Sequence, residues 1–121
     1  MANKQRKYKR NIYGISMNDE FGKINITKPL WEHLDYPQHI EFSYVNKDWI
    51  KLTCGSADSD SSGRVVPQGK GLSINDAELV RAIYEKYDIV RNDKTVMSPF
   101  YNAEYSVEDG QRVVYVKLNN F

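Results

Sequence analysis

Cysteine and histidine are scarce in this chain: one and two among 121. Cys54 has no partner for an internal disulfide, which suits a reducing compartment. A nucleophilic cysteine also needs a histidine and an orienting acid. Cys54 instead closes an alternating segment, where a small buried hydrophobe is expected. His33 and His39 are separated by a helix end and a proline, with no third ligand at metal spacing, and read as surface residues. Gly69-Lys70-Gly71 is too short for a phosphate-binding loop, and no G-x-S-x-G elbow occurs. No metal or cofactor is therefore expected, and the protein reads as a non-enzyme. No run of eighteen apolar residues is present to cross a membrane as a helix. Residues 1–10 lack the apolar stretch of a secretory signal, so a cytoplasmic location is expected.

The composition is that of a soluble chain with one modest core: 40% of residues are apolar and 27% are charged. A net charge of +1 hides an asymmetry. Lys4, Arg6, Lys7, Lys9 and Arg10 crowd the first ten residues with no acid among them, while the other 111 residues hold 12 basic against 16 acidic side chains. A basic arm on a mildly acidic body can hold a polyanion through counterion release, or can act as a solubilising terminus. Tyr8 and Tyr13 add surfaces on which bases can stack.

Hydrophobic alternation organises the remainder into short strands. Ile12 to Met17 alternates around Gly14, Asn18 to Gly22 is turn chemistry, and Lys23 to Ile26 alternates again. Thr27 is placed to cap a helix with Pro29 in its first turn, and Leu30, Trp31 and Leu34 fall at helical spacing. Asp35-Tyr36-Pro37 ends that helix. His39 to Tyr44 and Trp49 to Cys54 form a hairpin about Asn46-Lys47-Asp48. Residues 55–63, GSADSDSSG, read as a solvated linker, since D-x-D without the following Gly and distant Glu makes no calcium loop. Arg64 to Pro67 and Gly71 to Ile74 are strand candidates. Asn75-Asp76-Ala77-Glu78 resembles a capping box opening a helix to about Tyr87. A short strand is expected at Thr95 to Met97, and a last hairpin turns at Glu108 to Gln111.

The two halves echo each other. GKINITKPLWEHL and GLSINDAELVRAI each place a short strand before a capped helix. IEFSYVNKDWIKL and AEYSVEDGQRVVYVKL each form a hairpin ending in Lys-Leu. The expected organisation is a flexible arm, 1–10, and one domain, 11–121. That domain divides into possible repeat units 11–54 and 64–121 joined by linker 55–63.

Asp19-Glu20-Phe21-Gly22-Lys23-Ile24-x-Ile26, followed by Leu30-Trp31-Glu32-x-Leu34-Asp35-Tyr36, resembles the SpoVT/AbrB family of swapped-hairpin β-barrel proteins. The tandem echo is similar to the MraZ branch. The resemblance covers residues 12–54. It implies a mainly β chain with two short helices (α+β), forming a swapped-hairpin barrel from two units, either a homodimer or an intrachain pseudo-dimer. Family members commonly bind DNA, as transition-state regulators or antitoxins, through basic side chains about the glycine turn. Lys23 falls on that basic position. Thr27 replaces the family's proline, however, and Trp31 with Glu32 stands at its frequent arginine.

Two functions follow. The first is a small regulator binding double-stranded DNA through Lys4, Arg6, Lys7, Lys9, Arg10 and Lys23. The alternative is a protein-binding module, an antitoxin or an inhibitor from a phage or mobile element, anchored on a protein effector by exposed Trp31 and Trp49.

Overall fold

The computed structural model describes residues 14–18, 21–69, 71–89 and 103–118. The strand expected at Thr95 to Met97 and the arm lie outside these residues. Alternating apolar residues become strands wherever one face can be buried. β1 (Ile15–Asn18) and β2 (Lys23–Ile26) form the first hairpin, and β3 (His39–Tyr44) and β4 (Trp49–Cys54) the second. β5 (Ser62–Gln68) and β6 (Gly71–Asn75) form the third, and β7 (Ala103–Glu108) and β8 (Gln111–Lys117) the fourth. Helix α1 (Lys28–His33) follows the first hairpin and α2 (Ala77–Tyr87) the third.

All pairings are antiparallel, in the order β1-β2-β6-β5-β3-β4-β8-β7. The described residues are mainly β with two short helices, and their eight strands form a half-barrel. Hairpins distant in sequence meet at two seams. β2 pairs with β6 through Lys23↔Asn75, Ile24↔Ile74 and Asn25↔Ser73. β4 pairs with β8 through Trp49↔Lys117, Ile50↔Val116 and Lys51↔Tyr115. Each hairpin therefore pairs with the one two places along the chain. The exception is the junction of β3 with β5, which joins the two halves of the sheet.

Inward-facing Ile15, Met17, Ile24, Ile40, Leu52, Ile74, Val114 and Val116 form the core, closed by Leu30 of α1 and Leu79, Val80 and Ile83 of α2. Pro67 is tolerated in β5 because of its position. The N–H of Val65 reaches the carbonyl of Gln38, just before β3, at 2.9 Å. Two residues on, the same edge runs past the start of β3, where an N–H would have no strand partner.

Helix starts depart from expectation twice, while the end of α1 falls where Asp35-Tyr36-Pro37 placed it. The cap of α2 is Asp76, whose Oδ1 accepts from the Leu79 N–H at 3.1 Å; Asn75 remains in β6. Thr27 begins α1 without a side-chain cap, and its hydroxyl donates to the Gly14 carbonyl instead. α1 stops through two residues with left-handed backbone, Asp35 at φ 69° and Tyr36 at φ 56°. Trp31 holds this turn in three ways. Its carbonyl accepts the Tyr36 N–H at 3.0 Å, its ring meets Tyr36 edge-on, and its Nε1 donates to Pro37 O at 2.9 Å.

Segment 55–63 is not the solvated linker its composition suggests. Ser62 and Gly63 belong to β5. The Ser61 carbonyl accepts from Phe42 N at 2.9 Å, and the hydroxyls of Ser59 and Ser61 both donate to the Glu41 carboxylate. Serine disfavours regular ladders because it bonds locally, and here that capacity fastens the loop to β3. No helix among the described residues is long and apolar enough to cross a membrane.

Candidate functional site

The half of the sheet built from β1, β2, β6 and β5 turns a polar face away from the core. Alternation places Ser16, Asn18, Lys23, Asn25, Ser73, Asn75, Arg64, Val66 and Gln68 there. No carboxylate occupies any of these positions. Asn25 Nδ2 donates to Ser16 Oγ at 3.1 Å, and Ser73 Oγ donates to Gln68 Oε1 at 2.7 Å. These bonds accompany the burial of both serines, while Arg64, Gln68 and Asn75 stay exposed. Lys23 and Arg64 make no ion pair among the described residues. Amides, hydroxyls and two cations without an ion pair among the described residues suit a surface that meets anionic oxygens.

Lys23 is positioned by the turn before it. Gly22 takes φ +59°, and Asn18 Oδ1 accepts from Phe21 N at 3.0 Å. The Gly22 carbonyl then accepts from Asp76 N at 2.9 Å, tying the turn to the start of α2. Lys23 is half-buried between Asn18 and Asn75.

The other half of the sheet differs in charge: its outward face carries Glu41, Glu104 and Glu108. Glu108 Oε1 lies 3.2 Å from Lys51 Nζ, and its other oxygen accepts from Tyr115 Oη. Hydrogen bonds from Tyr115 and then Lys51 hold the Glu108 carboxyl below its ordinary value. The same contacts raise Lys51 and Tyr115 above theirs.

The expected site residues fare unequally. Lys4, Arg6, Lys7, Lys9 and Arg10 lie outside the described residues. Trp31 and Trp49 are half-buried, not exposed. Trp31 is occupied by its own turn, and the Trp49 carbonyl accepts from Tyr87 Oη at 2.7 Å. His33 is no free surface group. Its Nε2 lies 3.0 and 3.1 Å from the carbonyls of Ser106 and Val113, so as a donor it bridges β7 and β8, with its ring stacked on Tyr105. Cys54, the last residue of β4, is exposed where a buried thiol was expected. No group of three potential metal-binding side chains occurs among the described residues.

Sequence reading singled out Lys23 and missed Asn18, Asn25, Asn75, Arg64 and Gln68. Their signal was phase, since each stands one residue out of step with the core-facing positions of its strand. The hairpins that bring them together are distant in sequence, which hid the shared face. No family model matches the chain, nor does any curated protein or solved structure.

Proposed function

We propose that the protein is a small regulator that binds double-stranded DNA through its basic arm and the turn at Gly22 and Lys23. One observation carries the reading: the outward face of β1, β2, β6 and β5 holds cations, amides and hydroxyls with no carboxylate. In chain order the five cations of residues 1–10 precede β1, a strand of this half. Phosphate contacts of this kind position a duplex without reading its sequence. Lys23, Arg64 and the asparagines meet backbone oxygens, and the arm tracks the adjoining phosphates. The test is a mobility shift of labelled duplex at low salt, with full-length protein, a variant lacking residues 1–10, and Lys23→Ala. Full-length protein shifts the duplex, the truncation weakens binding by more than tenfold, and Lys23→Ala weakens it less. Absence of any shift by the full-length chain refutes the reading.

The protein-binding alternative draws on Tyr36 and Tyr44, 57% and 51% exposed. It predicts a specific partner that survives nuclease treatment in a pull-down and is lost on changing either tyrosine to serine.

A further inference from the structure

The seam between β4 and β8 presents a pattern that duplex binding leaves unused. On its outward face Trp49 stands across from Lys117, and Lys51 across from Tyr115. Aromatic and ammonium groups thus alternate along each strand and across the pair. Trp49 and Tyr115 share one diagonal, their backbone positions about 7–8 Å apart by strand geometry, and the two lysines share the other. Trp49 and Tyr115 are both half-buried. Ile50, Leu52, Val114 and Val116, the intervening residues, are core, so the strands beneath the rings are held firmly. Lys117 is exposed and makes no ion pair among the described residues. Lys51 Nζ lies 5.9 Å from the Tyr115 ring centroid, and Glu108 contacts both residues from β7.

We infer that this face is a stacking platform for two successive bases of a single-stranded nucleic acid, with Lys51 and Lys117 meeting its phosphates. Every base offers a π-face, so such a platform needs no edge readout. A duplex keeps those faces stacked inside and cannot use it. Glu104, directly across from Tyr115, and Glu108 and Glu41 on the same half oppose a polyanion. Their opposition gives the inference a sign: Glu104→Gln strengthens binding. The inference is independent of the DNA reading above, which concerns other strands and paired DNA.

Fluorescence anisotropy of an oligothymidylate about twelve nucleotides long tests it, using full-length protein at low salt beside a labelled duplex. Trp49→Ala and Tyr115→Ala each weaken the single strand by roughly 5- to 100-fold and leave duplex affinity unchanged. Tyr115→Phe keeps the ring, gives up the bond to Glu108, and binds as the parent does. Parent protein that ignores the oligonucleotide overturns the inference. So does Tyr115→Ala binding at parental strength, or Tyr115→Phe losing as much as Tyr115→Ala. Should Trp49→Ala fail to fold by circular dichroism, the two Tyr115 variants decide the matter alone.

Discussion

Gly22→Ala is the sharpest test of how the Lys23 turn is held. Gly22 lies at φ +59°, and a Cβ there would sit 2.6 Å from both Cα and Cβ of Ala77, at the first position of α2. The left-handed backbone alone costs a residue with Cβ about 1 kcal/mol. Relieving the overlap means moving the turn off the helix, at about 1–3 kcal/mol for overpacking. That movement also strains the bond from Asp76 N to Gly22 O, worth about 1 kcal/mol. The expected loss is therefore about 3–5 kcal/mol. Gly69→Ala supplies the comparison, since Gly69 has φ +60° but no neighbour within 4 Å, so only the conformational cost of about 1 kcal/mol applies. Urea unfolding of both variants, compared at constant slope, separates the two contributions. Equal losses for Gly22→Ala and Gly69→Ala would refute the claim that the turn is wedged against α2.

Three further outcomes follow from local geometry. Trp31→Phe keeps an aromatic ring against Tyr36 but removes the Nε1 donor to Pro37, and is expected to cost about 1 kcal/mol in urea unfolding. Asp88→Gly should stabilise by about 0.5–1 kcal/mol in thermal or urea unfolding, because Asp88 ends α2 at φ 53° and places an acid at the negative end of the helix. Glu108→Gln should destabilise at neutral pH. The folded-state carboxyl lies below its ordinary 4.5, so its contribution is present above that value and lost as pH falls through the lower folded value. Stability curves of parent and variant therefore converge in acid; a gap that persists below the folded pKa contradicts the assignment.

Local rules made much of the fold legible. Strand and turn patterns located the first, second and fourth hairpins and the two strands of the third, and Pro29, the cap pattern Asn75 to Glu78 and the apolar stripe of α2 located the helices, one residue early at the cap of α2. Non-local geometry set the rest. The β2–β6 and β4–β8 seams join segments dozens of residues apart, and no spacing within one hairpin specifies its partner. The serine-rich stretch reads as solvent-facing until Glu41 supplies an acceptor for it from β3. Trp31, with an indole that looks like a surface anchor in the sequence, is spent on the turn at Asp35 and Tyr36, a strain visible only in the backbone angles. At the candidate site the turn that precedes Lys23 was legible from Asn18 and Gly22. The amides and Arg64 around it became neighbours only once the first and third hairpins were paired.

The salt dependence of duplex affinity tests the central claim most directly. Lys4, Arg6, Lys7, Lys9, Arg10, Lys23 and Arg64 together meeting phosphates predict a slope of log affinity against log salt of about −6. Removing residues 1–10 is predicted to flatten it to about −2. A full-length protein that binds no duplex at low salt, or a slope that the truncation leaves unchanged, would contradict the account.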